Sequence, residues 1–249
     1  MWFFRDKVIL IIAADSAIGE ATAEYFAKQR ALLVLVGQNE KKLKNLIEKL
    51  WHHGIECAPL TILANIITDS DRIIDETIAK FGHLDVLINT FGIGFPGSIE
   101  KMEMNEFDMI MATNMRAVTL LTKKAIKYLN VTRGNIINVS SICGITPFPN
   151  YLAYSISKAA LNQFTKCVAM ELESKRIRIN AICPGFNITE FLPGDMESAH
   201  EIMRLEKCVK AIAFLARDQE PFLSGKILSG AIVPLPVTNG RSVQCIDII

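Results

Sequence analysis

Short unbroken apolar runs alternate along this chain with longer stretches of helical period. Val8 to Ala13 is apolar throughout and rich in β-branched residues, which predicts a strand covered on both faces, as in a parallel sheet. "DSAIGEATAEYFAKQRA" then spaces Ile18, Ala21 and Tyr25/Phe26 at a helical period. "LLVLVG" predicts a second buried strand, ending at Gly37. "NEKKLKNLIEKLWHHG" predicts an amphipathic helix with Asn39 as N-cap, a stripe of Leu43, Leu46, Ile47 and Leu50, and Gly54 as its stop. "IECAPLTILA" supplies the next strand. A helix capped by Asp69 or Ser70 runs through Ile73, Ile74, Thr77 and Ile78 to Phe81, with Gly82 after it, and "LDVLIN" is the fourth strand.

Phe107 to Tyr128 is mostly helical in pattern. "NIINVSS" is a fifth strand, Tyr151 to Ser174 a long helix, and "IRINAICPG" a sixth strand ended by Pro184. A shorter helix follows near Cys208 to Ala216, then an apolar piece around Ile227 to Val237. Regular alternation of strand and helix predicts an α/β fold, a doubly wound parallel sheet with right-handed crossovers and helices on both faces. With no linker, repeat or low-complexity tract, residues 1–249 are expected to form a single domain.

Composition narrows the function classes. Of 249 residues, 50% are hydrophobic and 21% charged, with 27 basic against 26 acidic, so nothing points to nucleic acid or an anionic membrane as partner. Asp6 and Lys7 interrupt the apolar N-terminus, and no run reaches the ~18 residues of a membrane span. A soluble, cytoplasmic protein is expected, with Trp2, Phe3 and Phe4 packed at the edge of the first strand. The six cysteines (Cys57, Cys143, Cys167, Cys183, Cys208, Cys245) form no CxxC pair and read as buried free thiols in a reducing compartment. The four histidines are not spaced as metal ligands with them, and no metal is expected.

Ligands of such sheets bind at the carboxyl ends of the strands near the switch point. The first strand ends in "AADSAIG", the place for a phosphate cradle, where only Gly19 remains as a glycine and Ser16 is a possible phosphate donor. The second ends in "GQN", with no acid at Gly37, Gln38 or Asn39 to bind a ribose 2′-hydroxyl and no Arg to grip a 2′-phosphate, although Lys41 and Lys42 are near. The missing acid favours the phosphorylated nicotinamide cofactor. The fourth strand ends in "NTFG", where Gly92 lets the chain pass close to a cofactor ring or ribose, and the fifth in Ser140 and Ser141. Tyr154 and Lys158 follow in "YSISK", four residues apart and so on one helical face, where an ammonium eases loss of the phenol's proton. "PGFNIT" after the sixth strand can fold over a ligand, with Thr189 as a hydroxyl donor. Asn114, inside a helical stretch, is an odd residue to bury unless it holds a kink, a water or a backbone carbonyl.

"NVSS", "YSISKAAL", "RIRINAICPG" and "IAFLA" resemble the short-chain dehydrogenase/reductase family, in particular its 3-oxoacyl-reductase-like and glucose-dehydrogenase-like members, from about Asp6 to Gly240. The resemblance implies a Rossmann-like NAD(P)-binding domain and an active-site tetrad of Asn114, Ser141, Tyr154 and Lys158. It implies cofactor contacts from Ala13, Asp15, Ser16, Ile18, Gly19, Gln38, Asn65, Asn89, Gly92, Tyr154, Lys158, Pro184, Gly185 and Thr189, with NADP expected and NAD possible. The chain departs from the family where Ile12, Ala13 and Ala17 replace the Thr and two glycines of the first turn. It departs again where Thr90 and Phe91 enter "NTFG", where Asn65 replaces an adenine-contacting Asp, where Gln38 replaces an Arg common in NADP-using relatives, and in a short segment between Thr189 and "IAFLA". The implied chemistry is hydride transfer between the nicotinamide and an apolar ketone or secondary alcohol. Tyr154 is the proton donor, Ser141 orients the carbonyl, Lys158 tunes Tyr154 and bonds the ribose, and Asn114 holds a water of a proton relay. Ile142, Phe148, Tyr151 and Phe186 are expected to line the substrate pocket. Relatives pair through two helices matching Phe107–Tyr128 and Tyr151–Ser174, so a homodimer or homotetramer is expected. A non-catalytic scaffold with weak or lost cofactor binding is the alternative; it accounts for the lost glycines and leaves the retained Ser, Tyr and Lys unexplained.

Overall fold

The structure is a computed structural model that describes residues 3–52, 58–185, 205–217 and 223–229. Among the described residues, seven strands form one sheet: β1 Val8–Ile12, β2 Leu32–Gly37, β3 Leu60–Leu63, β4 Val86–Asn89, β5 Asn135–Val139, β6 Arg178–Cys183 and β7 Ile227–Ser229. They lie in the order β3-β2-β1-β4-β5-β6-β7, and every neighbouring pair is parallel. Beyond β1 the order reverses, since β2 lies on one side of it and β4 on the other. That reversal opens the crevice where doubly wound sheets hold ligands. The residues of β1, β4, β5 and β6 are all buried; β1 therefore reads as a continuous apolar run, whereas β5 and β6 also bury Asn135, Asn138, Arg178 and Asn180 on hydrogen-bond partners.

Among the described residues, seven α-helices cover the two faces: α1 Ala17–Lys28, α2 Glu40–His52, α3 Ser70–Phe81, α4 Met104–Met111, α5 Val118–Thr132, α6 Leu152–Leu172 and α7 Leu205–Ala216. One core holds Leu10, Ile12, Val34, Leu87 and Ile136 of the sheet against α3, α5 and α6. The other holds Ile9, Ile11, Leu35, Ile88 and Ile137 against α1, α2 and α7. Successive strand residues feed opposite cores, as the pleat requires.

The ends of the elements follow local chemistry. Asn39 caps α2, its Oδ1 accepting from the Lys42 amide at 3.0 Å. Asp69 stands at the N-cap of α3 without a side-chain cap bond, and Gly82 ends that helix at φ 78°. In α1 the structure buries Gly19, Thr22, Ala23, Phe26 and Ala27, while Ile18 and Tyr25 are only partly covered. Small residues on that face let the helix lie close to the sheet, a signal the hydrophobic spacing alone does not carry. Phe4 packs edge-on against Phe26 at 4.8 Å between ring centroids, and Phe3 remains 37% exposed.

The expected helix from Phe107 to Tyr128 is longer and interrupted. Between α4 and α5 the turn Ala112–Ala117 is π-helical, and Asn114 sits inside it, fully buried. Three of the cysteines, Cys143, Cys183 and Cys208, are buried free thiols as expected; Cys167 is exposed, because it falls on the outer face of α6. No helix among the described residues is long and apolar enough to cross a membrane. The expected parts played by Trp2, Gly54, Cys57, Phe186, Thr189 and Cys245, and the apolar piece beyond Ser229, lie outside the described residues.

Candidate active site

Ser141, Tyr154, Lys158 and Asn114 come from the end of β5, from α6 and from the π-helical turn. Lys158 lies in the middle of the group. Its side chain is buried among β5, α6 and the loop after β4, with 2% exposure, and its Nζ donates to the Val139 carbonyl at 3.1 Å. Burial in this apolar setting holds its ammonium down to about 8, and the nearby Cys183 and Cys143 sulfurs pull the other way. The Lys158 Nζ stands 5.6 Å from the centre of the Tyr154 ring, so the pair on one face of α6 is realised. Tyr154 is half-buried.

Two glycines make this closeness possible. A Cβ on Gly92 would lie 2.7 Å from Lys158 Nζ, and one on Gly94 would lie 2.8 Å from the Tyr154 ring. The loop after β4 therefore packs directly on the Tyr154–Lys158 pair. Asn114 fixes that loop: its Oδ1 accepts from the Ile93 amide and its Nδ2 donates to the Ile93 carbonyl, both at 2.9 Å. The same Nδ2 donates to Ser157 Oγ at 2.9 Å, and Ser157 Oγ donates to the Tyr154 carbonyl at 2.7 Å. One buried amide thus ties the π-helical turn to the β4 loop and to α6. Of the roles proposed for burying an asparagine here, the kink and the backbone carbonyl are both present. The far end of the loop is strapped by a bridge from Gly97 to Tyr151 and by the Gly97 amide bonding the Asn150 carbonyl at 2.7 Å.

Ser141 follows β5 in extended backbone, and its Oγ accepts from the Cys143 amide at 3.2 Å. The same serine also bonds the Cys143 side chain, a weak sulfur contact that a carbonyl oxygen can displace as acceptor of the hydroxyl hydrogen. The neighbouring Ser140 turns inward and donates to the Lys158 carbonyl at 3.2 Å, so the two adjacent serines have different work. Burial pushes the Cys143 thiol up to about 11 and raises Cys183 as well, which keeps both sulfurs protonated beside Lys158. The Pro184 carbonyl accepts from the Ile142 amide at 2.9 Å, joining the ends of β5 and β6. Ile142 and Tyr151 are buried next to the site.

The cradle at the end of β1 is built differently. Ala13 takes φ 58°, the left-handed region that glycine reaches without strain. Its carbonyl is held by the Ser16 amide at 3.0 Å, by Ser16 Oγ at 2.8 Å and by Thr90 Oγ1 at 3.2 Å. Thr90 Oγ1 also donates to the Ile12 carbonyl at 2.6 Å. Ser16 Oγ in turn accepts from the Gly19 amide at 3.1 Å as the N-cap of α1. Its hydrogen is therefore spent on the turn, and the expected phosphate donation from Ser16 would require that bond to break. Gly19 has no freedom to change, because a Cβ there would collide with the Ala13 carbonyl oxygen. Ala17 is an ordinary exposed residue in the first turn of α1, and nothing in its backbone calls for glycine.

Five more of the expected contact residues have particular placements. Asn89 is 1% exposed at the end of β4, donating from Nδ2 to Asn138 Oδ1 at 2.9 Å, so it works inside the sheet. Asn65 is exposed just past β3, with its Oδ1 capping the Ile67 amide at 2.9 Å. Gln38 is exposed at the end of β2, and Ile18 packs on the α1 core. Asp15 reaches across to β2: its Oδ2 accepts from the Gln38 amide at 2.9 Å and the Asn39 amide at 2.8 Å. Sequence reasoning found no acid at that strand end; the acid comes from another turn.

A dinucleotide fits the shape of this crevice. The end of β1 turns tightly into the N-terminus of a twelve-residue helix, and Gly19 keeps that approach clear. Gly92 holds the chain close beside Lys158, where a ribose can meet the ammonium.

Comparison with known proteins agrees with this geometry. The short chain dehydrogenase family matches residues 7–198. An uncharacterised oxidoreductase of Thermotoga maritima is 34% identical over 243 residues, covering 91% of this chain and 96% of that protein. A glucose 1-dehydrogenase of Gluconobacter oxydans is 33% identical over 240 residues, with 90% of both chains covered. Among solved structures, ElxO with NADP bound superposes with a TM-score of 0.81 at 29% identity, over 90% of this chain and 96% of that one. The Ser, Tyr and Lys around one buried crevice, the parallel sheet and these matches have a single reading: the chain belongs to the short-chain dehydrogenase family.

Proposed function

We propose that the protein is an NADP(H)-dependent oxidoreductase that transfers a hydride between the nicotinamide and an apolar ketone or secondary alcohol. The observation that carries this reading is the buried Lys158 ammonium beside the Tyr154 ring, with the Ser141 hydroxyl at the neighbouring strand end. ElxO, which has the same fold at 29% identity over 96% of its chain, holds NADP. When bound, the dinucleotide supplies the hydride. The chain's own residues do the rest. Tyr154 donates its proton to the oxygen of the reduced carbonyl. Ser141 donates a hydrogen bond to the same oxygen and holds it in line. Lys158 keeps a positive charge next to the phenol and favours the phenolate left behind.

Asn114 works as a positioning residue in this account. Its side chain is filled by Ile93 and Ser157, so it fixes the loop that presses on Tyr154 and Lys158. The expected relay water would have to be held by other atoms of the π-helical turn. Ile142 and Tyr151, with the apolar loop from Ile93 to Pro96, make the substrate side of the crevice apolar, and a ketone with hydrocarbon substituents fits it best.

The whole of residues 1–249 is taken as a single catalytic domain. Exposed apolar residues on α4 and α6, Met109 at 50% and Met170 at 79%, support a second copy of the chain as partner for these helices, whereas Phe164 is partly buried against the core. The testing experiment is a titration of the purified protein with NADPH, followed by NADPH oxidation against a panel of apolar ketones and polar sugars. Binding with turnover of the apolar set is expected. Binding without turnover of any carbonyl favours the scaffold reading; absence of binding removes the dinucleotide.

A further inference from the structure

Tyr154, Lys158 and Asn162 follow one another along α6 at steps of four residues and so share one side of the helix. Asn162 has no part in the proposed reaction, yet it is buried and both ends of its amide are engaged. Its Nδ2 donates to the Gly144 carbonyl at 3.2 Å, and its Oδ1 accepts from the Cys183 thiol at 3.6 Å. The Gly144 partner fixes which end is nitrogen, because a carbonyl can only accept. One side chain of α6 thus holds both the turn after β5 and the last residue of β6.

That turn carries Ser141. From Ser141 the chain doubles back, and the Gly144 amide donates to the Ser141 carbonyl at 3.0 Å. The turn rests on α6 at two places. Before Ser141, the Ser140 hydroxyl donates to the Lys158 carbonyl at 3.2 Å. After it, Gly144 lies so close that a Cβ there would stand 2.6 Å from the Lys158 carbonyl carbon, and Asn162 bonds it. Ser141 sits between the two contacts.

We infer that Asn162 is a positioning residue for Ser141: its amide fixes the turn on α6, so that the Ser141 hydroxyl and the Tyr154 phenol reach one substrate oxygen together. This role presupposes the carbonyl reduction proposed for the site. The two hydroxyls come from different elements, and a misplacement of about 1 Å is enough to cost on the order of a hundredfold in rate. An apolar side chain of the same size would fill the space beside Gly144 without giving it a direction. The half-buried Gly144 carbonyl would then lose its donor, and the turn would shift toward water to regain one.

The test compares wild type, Asn162→Leu, Asn162→Ser, Ser141→Ala and the double variant Asn162→Leu/Ser141→Ala. It measures kcat for an apolar ketone, the NADPH dissociation constant and the melting temperature. Ser141→Ala should lower kcat by about a hundredfold. Asn162→Leu should lower it by about thirtyfold, with the NADPH dissociation constant within a factor of about two of wild type. In the Ser141→Ala background the same change should cost less than about threefold, because no hydroxyl is left to place. A general structural role would give the same loss in both backgrounds, or weaken NADPH binding in step with kcat; either result overturns the assignment, as does a wild-type kcat in Asn162→Leu. Asn162→Ser, alone and with Ser141→Ala, carries the comparison if the leucine variants do not fold. A large loss in Ser141→Ala with none at Asn162 removes this role and leaves the carbonyl reduction standing. A wild type that reduces no ketone overturns both.

Discussion

The two ends of the crevice solve their problems with different materials. At the proposed catalytic end, the Ser141, Tyr154 and Lys158 side chains are all of the type the proposed hydride transfer demands, and they stand in a loop-and-helix frame held by Asn114. At the cradle end, the demand is for a backbone shape, and a different set of residues makes it. Ala13 takes a left-handed conformation without being glycine, and its carbonyl is held in place by Ser16 and Thr90. A proton can be donated only by a group that carries one, whereas a turn can be enforced by any hydrogen bonds strong enough to cover its strain. The lost glycines therefore argue less against function than they do when read as letters.

The comparison breaks most visibly at Tyr154. Tyr154→Phe should lower kcat by at least ~100-fold while the dissociation constant for NADPH stays within a factor of about two. Steady-state rates and calorimetry on the same preparation check it, and a variant with most of its activity would show that the hydroxyl is not the donor.

Lys158 sharpens the contrast, because its cost to the fold can be measured apart from its chemistry. Its folded-state pKa is depressed from 10.5 to about 8, so between these values the unfolded chain binds more protons than the native one. Stability of the cofactor-free protein should therefore rise from pH 8 to pH 10.5, by on the order of 2 kcal/mol, and the slope should vanish in Lys158→Met. At neutral pH that variant should be the more stable protein and nearly inactive. Urea titrations across this range decide it; an unchanged slope would assign the pH response to another group.

Gly94 tests whether the catalytic end tolerates a backbone repair of the kind the cradle uses. A methyl there would stand 2.8 Å from the Tyr154 ring, so Gly94→Ala should displace the phenol and lower kcat by about tenfold with little change in melting temperature. Full activity would mean that the ring has room to give.

Ala13→Gly should have the smallest effect and the opposite sign. Relief of left-handed strain exceeds the added freedom of the unfolded chain, for a net gain of about 0.5 kcal/mol in the cofactor-free protein. A lower melting temperature would mean that the Ser16 and Thr90 bonds already remove the strain. Ala17→Gly, in a plain helical turn, should instead destabilise slightly.

The fold was legible because buried parallel strands such as β1 and β2 stand out as unbroken apolar runs, and Ser141, Tyr154 and Lys158 stood out as candidates because side-chain chemistry is written directly in residue type. The frame was less so. Asp15 lies 23 positions before Gln38 in the chain, and only the adjacency of β1 and β2 brings them together. The partners of Asn114 belong to Ile93 and Ser157, which no local spacing connects to it. Thr90 looked like a departure from a motif, and its value depends on the strain at Ala13, which is a property of φ and invisible in residue names. Cys167 misled for a simpler cause: an apolar neighbourhood in sequence wraps around a helix, and one side of α6 faces out.

The π-helical turn at Ala112–Ala117 also changes how residues 104–132 address their neighbours. One additional residue in a turn advances every later side chain by ~100° about the axis. α4 packs against α6, whereas α5 packs against α3, so a single continuous rod presents its apolar stripe in two directions. The inserted residue acts as a phase shifter. A heptad count carried straight through Ala112 would assign the wrong face to everything after it, and a one-residue deletion within the turn would rotate Leu121, Ala125 and Leu129 out of the core as a block.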